Sequence, residues 1–413
     1  MNDISLKWCT EQDIADPLKQ YRNRFDLPEG IIYMDGNSLG PLPIGVADRV
    51  AHVVSEEWRS NLVKSWNSAD WINLPTRVGA KIAPLIGAKP HEVVMADSTS
   101  VNLFKVAAAA LKMRPGHCEI LSEPGNFPTD LYMMQGLAAF LGNDCHLKTV
   151  DRADIAAAIT QDTAIVLLTQ VHYVSADMMD MKAITRAAHD KGALIIWDLS
   201  HSAGAVPVVL NESNADFAVG CGYKYLNGGP GAPAFIFVAE RHLKSVQQPL
   251  TGWFGHSDPF GFVDDYLPSD GIKRMLVGTP GILAASALDS ALDAFNGVDM
   301  ALVRHKSVAL TDLFIRLVES RLVGYGVELA TPKDSARRGS HVSLTHENAF
   351  AVMQALIERG VIGDFRAPNF LRFGMTPLYL GFEDMYRAVD TLADILNTEQ
   401  WHEERFSKKS AVT

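Results

Sequence analysis

Two residues near the middle of the chain have types and surroundings that suit them to act together in catalysis. Asp198 ends one strand-like apolar run, and Lys224 follows a second apolar run within the sequence GYKYLNGGPG. A lysine amine can form a Schiff base with an aldehyde cofactor, while a carboxylate can keep a pyridine nitrogen protonated so that the ring withdraws electrons. The pair is therefore typical of enzymes that use pyridoxal phosphate.

Each residue also has a structural interpretation when it is taken alone. An aspartate after a buried strand often caps a helix, and a lysine beside a glycine-rich turn usually points into solvent. His201 comes three residues after Asp198, and Tyr223 stands directly before Lys224. Taken together, the four residues favour a cofactor site over two unrelated structural roles.

A cofactor phosphate has a candidate site where a short strand at 93–95 gives way to a helix. Thr99 and Ser100 stand at this junction, where free backbone N–H groups and the helix dipole attract anions. Plain helix capping is the alternative, and the two roles are compatible. At another strand-to-helix junction, Phe127 could stack on a flat heterocycle beside the carboxylate of Asp130, and a place in the core is the alternative for this ring.

Two further groups of residues suit an aromatic amino-acid substrate. Arg372 lies in an apolar frame, where its guanidinium needs a planar carboxylate from a substrate or from an internal Asp or Glu. The sequence GWFGH at 252–256 could form an aromatic wall together with Trp66. Exposed tryptophan loops also serve subunit contacts, which is the alternative for this segment.

The elements that must position these residues follow an α/β pattern. From about Val78 to Cys221 strand-like and helical segments alternate, as in a mostly parallel sheet flanked by helices. Past Ala284 long helices and shorter strands predict an α+β region. We therefore predict a large α/β domain at 61–284, and a small α+β domain formed by 1–60 and 285–413.

Composition and charge restrict the class of protein. The chain has 413 residues, 47% of them hydrophobic and 21% charged, which is ordinary for a globular protein with one large core and a smaller domain. A net charge of −11 without extended Lys/Arg clusters argues against a nucleic-acid partner.

We see no apolar signal segment at the start and no apolar stretch of membrane-spanning length, so we expect a cytoplasmic protein without a membrane partner. The four cysteines lack metal-site spacing, so we expect reduced thiols and no metal.

Ten motifs with a familiar order run almost from end to end of the chain. They are YMDGNSLGPLP (33–43), SWNSADW (65–71), DSTSVNLFK (97–105), NFPTDLY (126–132), WDLSHSAGAVPV (197–208), GYKYLNGGPGAP (222–233), GWFGH (252–256), RGSHVS (338–343), RGVIGDFR (359–366) and RFGMTPLY (372–379). In these motifs the chain resembles the kynureninase family of fold-type I pyridoxal phosphate enzymes, which is similar to the class V aminotransferases. The resemblance implies a large domain with a mostly parallel sheet and a smaller α+β domain.

The resemblance also implies roles for the matched residues. Lys224 would carry the Schiff base, Asp198 would pair with the pyridinium nitrogen, and Tyr223 would serve the phosphate and act with Lys224 in proton transfer. The other implied cofactor-binding residues are Thr99, Ser100, Phe127, Pro128, Thr129, Asp130, Thr169, His201, Trp253 and Thr279, the last two reaching in from a neighbouring subunit. The implied substrate-binding residues are Arg372, for the α-carboxylate, and Trp66, His256, Asn37 and Ser38, for the aryl group.

The reaction that the resemblance implies is hydrolysis of L-kynurenine to anthranilate and L-alanine. It is a pyridoxal 5'-phosphate-dependent Cβ–Cγ cleavage in tryptophan catabolism through the kynurenine pathway, and the active unit would be a homodimer. We expect 3-hydroxykynurenine to be the poorer substrate, because Trp66 and Thr279 resemble the bacterial-type members.

Two positions depart from the family pattern: Gly222, and Ser175-Ala176-Asp177, where relatives commonly have a Thr-Gly turn. Three rival functions also need to be weighed. Gly222 stands where relatives often carry Thr or Ser, so a hydroxyl on the phosphate side is expected to be missing. A cysteine desulfurase needs a nucleophilic cysteine late in the chain, and no cysteine follows Cys221. An aminotransferase of the same class stays open, and it would need an amino acceptor. A silent cofactor-binding regulatory domain is disfavoured, because Lys224, Asp198 and Arg372 are all present.

Overall fold

The computed structural model describes residues 4–142 and 145–408, which divide into two units. The large unit comprises Gly45–Gln170 and Met179–Asp293. The small unit comprises the described residues up to Ile44, the segment Val171–Met178 and the described residues from Ala294 onward. The boundaries therefore differ from the predicted ones at 61 and 284.

The helices and strands are numbered in chain order. The strands are β1 (Phe25–Asp26), β2 (Ile32–Tyr33), β3 (Leu42–Pro43), β4 (Val93–Ala96), β5 (Glu119–Ser122), β6 (His146–Thr149), β7 (Thr163–Thr169), β8 (Leu194–Asp198), β9 (Phe217–Gly220), β10 (Ala234–Val238), β11 (Glu328–Leu329), β12 (His341–Thr345), β13 (Val361–Ile362), β14 (Asp364–Arg366) and β15 (Phe370–Gly374). The helices are α1 (Leu6–Ala15), α2 (Val46–His52), α3 (Ser65–Ser68), α4 (Leu74–Ile82), α5 (Thr99–Lys112), α6 (Pro128–Leu141), α7 (Ile155–Ala158), α8 (Met181–Asp190), α9 (Ile282–Ala291), α10 (Met300–Arg321), α11 (Ala349–Glu358), α12 (Phe382–Asn397) and α13 (Glu404–Ser407).

The large unit is built on a seven-stranded sheet of order β4-β10-β9-β8-β7-β5-β6. Strand β10 runs antiparallel to both of its neighbours, and the other pairings are parallel. Every residue of β7, β9 and β10 is buried, as expected for continuous apolar runs covered on both faces. The predicted mostly parallel sheet is confirmed, and the strand absent from the prediction is β6, a half-exposed edge strand of polar sequence.

The carboxyl ends of the parallel strands lie along one edge of this sheet, which is where α/β proteins bind ligands. Helix α5 begins at that edge after β4, and the side chain of its N-cap Ser98 accepts a hydrogen bond from the Val101 N–H group at 3.3 Å. Ser98, Thr99 and Ser100 therefore stand at a helix start that follows a strand end, as the sequence predicted.

Two local arrangements explain why the unit boundaries differ from the predicted ones. Helix α2 packs against α9 and so belongs to the large unit. The segment Val171–Met178 belongs to the small unit because its backbone is hydrogen-bonded to other residues of that unit. The Gly339 N–H group donates to the Ala176 carbonyl at 2.8 Å, and the Met178 N–H group donates to the Arg337 carbonyl at 2.9 Å. Neither arrangement follows from chain order or composition.

The small unit contains an antiparallel sheet of order β11-β12-β15-β14 and a parallel pair formed by β2 and β13. Helix α12 packs against α1, α10 and α11. The predicted α+β character of the C-terminal region matches this arrangement. Among the described residues, no helix combines the length and the apolar character needed to cross a membrane.

The cysteines differ from the expectation of four reduced thiols. Cys118 and Cys145 form a disulfide with a Cα–Cα distance of 4.7 Å. They directly precede β5 and β6, and these parallel neighbours pair Glu119 with His146, so the two cysteines stand side by side. A separation of 27 residues conceals this proximity in the sequence. Cys9 and Cys221 are free and buried.

Candidate active site

One cavity of the large unit gathers most of the residues that the sequence singled out. It encloses about 210 Å³ at the carboxyl edge of the sheet. We call it the lysine cavity, and its lining comprises Asp97, Ser98, Thr99, Ser100, Phe127, Thr129, Asp130, Thr169, Asp198, Ser200, His201, Tyr223, Lys224, Gly231, Ala232 and Ala234. Residues from four separate strand ends and from the turn after β9 thus converge on a single space.

Lys224 lies in the turn that follows β9, and its side chain is held among aromatic rings. Its Nζ atom lies 3.3 Å from His201 Nε2, 5.5 Å from the centroid of the Phe127 ring and 6.0 Å from that of Tyr223. The residue is only 8% exposed, and a lysine this buried normally requires a partner. Its amine is therefore placed to react inside the cavity, and solvent reaches it poorly.

Asp198 is the last residue of β8 and has its carboxylate fixed by the backbone. Its Oδ1 atom accepts a hydrogen bond from the Ser200 N–H group at 2.6 Å, and the residue is 3% exposed. This contact matches the structural role that was the alternative for Asp198, and the residue still lines the cavity. The two roles therefore coexist, because a carboxylate has a second oxygen for another partner.

A second buried carboxyl group, that of Asp130, lies at the start of α6. Burial and the nearby Asp198 carboxylate raise the pKa of Asp130 well above its usual range. Thr169 Oγ1 lies 2.5 Å from Asn126 Oδ1 and 3.4 Å from Asp130 Oδ2. The sequence had pointed to Asp130 and Thr169. It gave no separate role to Asn126, although Asn126 opens the quoted motif NFPTDLY.

The opposite end of the cavity is the turn between β4 and α5. Asp97 has a positive φ of 40° there, and its carboxylate is paired with the fully buried Lys105 at 2.6 Å. The Lys105 ammonium group also donates to the Met275 carbonyl at 2.7 Å, and burial lowers the pKa of this lysine. Thr99 and Ser100 thus stand on a turn whose shape is set by an internal ion pair. The sequence analysis missed this pair, although the motif DSTSVNLFK begins and ends with it.

The turn that carries Lys224 is fixed by a close backbone approach at Gly222. A Cβ atom at this position would lie 2.4 Å from the Pro233 carbonyl oxygen and 2.9 Å from the Leu288 side chain. The Thr or Ser expected from relatives therefore does not fit this arrangement. At the adjacent position, burial and the neighbouring Cys221 raise the pKa of the Tyr223 phenol, which keeps it protonated at neutral pH.

Other residues predicted for the site lie outside the lysine cavity. The Trp66 ring packs against Trp253 at a centroid distance of 6.2 Å. Trp253 and His256 line another cavity of the large unit, of about 390 Å³. Thr279 is exposed in the loop before α9, and Pro128 is the first residue of α6. The predicted aromatic grouping of Trp66 with the GWFGH segment thus exists in this chain, apart from the cavity that contains Lys224.

In the small unit, Arg372 has the internal carboxylate partner that was its alternative. Its Nε and Nη2 atoms donate to Asp364 Oδ1 and Oδ2 at 2.7 and 2.5 Å, and both side chains are 1% exposed. Arg372 Nη2 also donates to Ser38 Oγ at 2.9 Å. Arg366 joins the same carboxylate at 2.7 Å. We call Asp35, Ser38, Asp364, Arg366 and Arg372 the arginine cluster.

Asn37 and Ser38, both predicted to border an aryl group, have different surroundings. Ser38 belongs to the arginine cluster. Asn37 is fully buried, and neither its Oδ1 nor its Nδ2 atom has a hydrogen-bond partner within the described ranges. A Cβ atom at Gly374 would lie 2.1 Å from Asn37 Oδ1, so the amide is packed directly against β15.

Comparison with known proteins identifies the family. Residues 303–392 match the family model of the kynureninase C-terminal domain, and residues 73–207 match that of the DegT/DnrJ/EryC1/StrS aminotransferase family. A kynureninase of Pseudomonas fluorescens is 50% identical over 410 residues, which is 98% of this chain and 99% of the relative. One of Deinococcus radiodurans is 53% identical over 399 residues, 95% and 97% of the two chains. The chain belongs to the kynureninase family.

Solved structures similar to this member of the kynureninase family confirm the fold class. An apo cysteine desulfurase of Thermococcus onnurineus has a TM-score of 0.78 at 19% identity, covering 92% of this chain and 98% of its own. A cysteine desulfurase of Escherichia coli has a TM-score of 0.75 at 17% identity, with the same coverage. These likenesses establish the fold-type I architecture and carry no argument about the reaction.

The lysine cavity of this kynureninase-family chain fits pyridoxal phosphate by the chemistry of its side chains. It combines a buried amine, a carboxylate at a strand end, an exposed aromatic ring and hydroxyl groups at a helix start. Asp130 Oδ1 is buried and has no hydrogen-bond partner in the part of the chain that the structure describes. A polar group inside the cavity would satisfy this oxygen.

Proposed function

We propose that this chain hydrolyses L-kynurenine to anthranilate and L-alanine with pyridoxal 5'-phosphate as its cofactor. One observation carries the proposal: Lys224, Asp198 and His201 share a cavity in a chain that is about half identical to kynureninases over nearly its whole length. Family membership supports the reaction, and the cavity supports the cofactor. An aminotransferase is not favoured by the same comparison.

Most of the cofactor contacts assigned here belong to the lysine cavity. Lys224 would hold the cofactor, Asp198 would pair with its ring nitrogen and Phe127 would stack on its ring. Thr99, Ser100 and Tyr223 would bind the phosphate at the start of α5, where the helix dipole favours an anion. When bound, pyridoxal phosphate supplies a protonated ring that accepts electrons from the substrate Cα.

The remaining chemistry consists of proton transfers by side chains of the chain itself. Once the substrate amino group has displaced it from the cofactor, the freed Lys224 amine, whose Nζ atom lies 3.3 Å from His201 Nε2, would take the proton from Cα. After water adds to the aryl ketone and the Cβ–Cγ bond breaks, Cβ needs a proton. The Tyr223 phenol would give that proton, because it lines the lysine cavity next to Lys224 and a phenol is protonated at neutral pH.

The substrate contacts are those that the family resemblance implies. Arg372 binds the α-carboxylate, since a guanidinium suits a planar anion. Trp66, His256, Asn37 and Ser38 border the aryl group. Of these, Trp66 belongs to an aromatic group in which its ring lies 6.0 Å from that of Trp71 and 5.9 Å from that of Phe254.

The test is incubation of the holoenzyme with L-kynurenine alone. We expect the absorbance of kynurenine to fall while anthranilate fluorescence rises, with one alanine released for each anthranilate. No amino acceptor is added, so an aminotransferase would stop after at most one turnover. Turnover that requires a keto acid, or that releases no anthranilate, would refute the proposal.

Substrate preference is tested in the same assay. We propose that L-kynurenine has a higher kcat/KM than its 3-hydroxy derivative, because Trp66 and Thr279 are the residue types of bacterial-type members. The reverse order would refute this assignment and leave the reaction type intact. Exchange of Trp66 for Phe then shows whether this ring takes part in the discrimination.

We also propose that the active unit is a homodimer with a shared site. Trp253 and Thr279 are exposed and do not line the lysine cavity, and the neighbouring loop exposes Phe260, Phe262 and Val263 by 54%, 85% and 62%. Such an apolar loop is typical of a subunit contact. Sedimentation should give twice the chain mass. Mixed K224A and W253A chains should recover about one quarter of wild-type activity, because each hybrid dimer has one intact site.

The biological setting is proposed from the same family assignment. The reaction belongs to tryptophan catabolism through the kynurenine pathway, and we expect the protein in the cytoplasm. Cell fractionation followed by the anthranilate assay tests the location.

A further inference from the structure

We propose that Glu57 is a positioning residue for the aryl end of the substrate, because it fixes the indole ring of Trp71 against which Trp66 packs. The inference rests on the proposed function, which assigns Trp66 to the aryl group. All three residues belong to the large unit. Glu57 would act indirectly, through one neighbouring ring and one backbone contact.

Glu57 is a buried carboxylate whose two oxygens have different partners. The residue is 6% exposed. Arg49 Nη1 donates to its Oε1 atom at 2.5 Å, and Trp71 Nε1 donates to its Oε2 atom at 2.7 Å. Burial disfavours the charged form, but the hydrogen bonds from Arg49 and Trp71 outweigh it and lower the pKa of Glu57. The indole N–H group of Trp71 therefore has a charged acceptor, which makes the stronger kind of hydrogen bond.

The backbone of Glu57 also holds the start of the short helix α3, which carries Trp66. Ser65 is fully buried, and its Oγ atom donates to the Glu57 carbonyl at 2.7 Å. Glu57 itself lies in a π-helical turn, Val53–Trp58, and such turns are rare and frequent at functional sites. One residue thus fixes both the backbone beside Trp66 and the ring that packs against it.

Three tryptophan rings continue this arrangement in an edge-to-face series. The Trp66 ring lies 6.0 Å from that of Trp71 at an interplanar angle of 81°, and 6.2 Å from that of Trp253 at 74°. Because such pairs prefer a defined geometry, a rotation of one ring displaces the next. Trp71 is 9% exposed, whereas Trp66 is half-buried and keeps surface for a ligand. The sequence analysis gave no role to Trp71, although it ends the motif SWNSADW.

The experiment separates the two ends of the substrate by using the two products as fragments. Anthranilate keeps the aryl group, and L-alanine keeps the amino-acid part. Binding of each to the holoenzyme is measured by titration calorimetry, which needs no turnover. Glutamine has a single acceptor oxygen, so in E57Q it cannot serve Arg49 and Trp71 in the present geometry.

For E57Q we expect about 10-fold weaker binding of anthranilate and unchanged binding of L-alanine, because a hydrogen bond to a charged group is lost and the aryl contact is no longer fixed. The KM of L-kynurenine should rise by a similar factor, while kcat changes by less than about 2-fold.

W71F tests the same link from the other side. Phenylalanine keeps a ring and removes the N–H group, so this variant should reproduce the loss of anthranilate affinity. If both changes break one interaction, the double variant E57Q/W71F should bind anthranilate no more weakly than the weaker single variant. The matched control is E212Q in the same unit, since Glu212 is 69% exposed and pairs with Lys182 at 3.4 Å. It should bind both fragments as the wild type does.

Three results would overturn the inference. Equal losses for both fragments in E57Q would mean a general structural role. Normal binding of anthranilate by E57Q, or losses that add up in the double variant, would mean that Glu57 does not act through Trp71. Turnover of L-kynurenine by the wild type is measured separately. Its absence would refute the proposed function, whereas the fragment comparison still decides the role of Glu57.

Discussion

The lysine cavity and the arginine cluster treat buried charge in opposite ways. In the cavity, Asp130 keeps an oxygen without a partner among the described residues, and the amine of Lys224 lies 3.3 Å from the His201 imidazole. In the cluster, Asp364 binds two guanidinium groups and a serine hydroxyl, so its charge is matched internally. The cavity thus leaves a buried polar atom for a ligand, while the cluster pairs its buried carboxylate with its own side chains. Changes in the cavity should therefore affect chemistry, and changes in the cluster should also affect folding.

The largest expected effect is the loss of turnover in K224A. Removal of the amine should lower kcat by at least about 10³-fold, because the covalent attachment and the proton carrier are lost together. The absorbance band of the bound cofactor should disappear, and the unfolding midpoint of the cofactor-free protein should change little. K182A is the control, since Lys182 is 69% exposed and pairs only with an exposed glutamate at 3.4 Å. A K224A protein that stays yellow would point to another anchoring lysine.

The corresponding change in the cluster, D364N, should reduce stability. It leaves two guanidinium groups without their shared charge partner, and breaking a buried ion pair costs about 3–5 kcal/mol. Urea denaturation measures the free energy of unfolding. D390N removes an equivalent carboxylate from the exposed pair between Asp390 and Arg321, where about 1 kcal/mol or less is expected. If the two variants are equally stable, the contrast between cavity and cluster is wrong.

A smaller effect is expected for G222S, in the turn that carries Lys224. This change restores the hydroxyl that relatives often carry at this position, but the Pro233 carbonyl oxygen lies 2.4 Å from the position of the new Cβ. We expect a loss of about 1–3 kcal/mol from overpacking, with no gain in cofactor affinity. Thermal unfolding and cofactor titration measure the two quantities. G136S is the control, because nothing lies within 4 Å of a Cβ at this helical glycine.

The smallest expected effect is a pH dependence of stability that comes from Asp35 in the arginine cluster. Burial and Asp364 raise the pKa of Asp35 to about 7, while Arg366 and Arg372 oppose this shift. The same two carboxylates, together with burial, raise the pKa of Tyr33. Because the folded pKa of Asp35 lies above that of the unfolded chain, its stabilising contribution is complete at acid pH and is lost as pH rises through about 7.

D35N should therefore match the wild type near pH 4 and be more stable at pH 8, by roughly 1 °C in Tm for each kcal/mol regained in a chain of 413 residues. The ionised Asp35 should also raise the KM of the wild type above pH 7, because it cancels positive charge that a substrate carboxylate needs. D26N is the control at an exposed strand residue. Parallel pH profiles for the wild type and D35N would show that Asp35 does not titrate in this range.

The sequence predicted many of the residues that line the lysine cavity, because a residue at the end of a buried strand can be recognised from the apolar run before it. Asp198, Thr169 and Thr99 each follow or end a buried apolar run, and the parallel sheet places such positions along one edge. The lysine was found for the same reason. In this part of the molecule, the residues that the local sequence pattern marks are also the ones that the fold brings together.

The cluster was predicted less completely because its partners meet through tertiary structure. Asp364 and Arg372 lie on neighbouring antiparallel strands and face each other in register. Ser38 comes from a loop more than 300 residues earlier. No local pattern in the sequence pairs them. The disulfide between Cys118 and Cys145 was missed for a similar reason, since it depends on an edge strand that the sequence did not reveal.

The ion pair between Asp97 and Lys105 limits which substitutions the turn before α5 can accept. A carboxylate at the entrance of an anion site would repel a phosphate unless its charge were cancelled from the side away from the ligand. The fully buried ammonium of Lys105 supplies this built-in counter-ion, at 2.6 Å, and also ties the turn to the Met275 carbonyl. Loss of either residue alone would leave an uncompensated charge at the start of α5, so the two positions should be exchanged together or not at all.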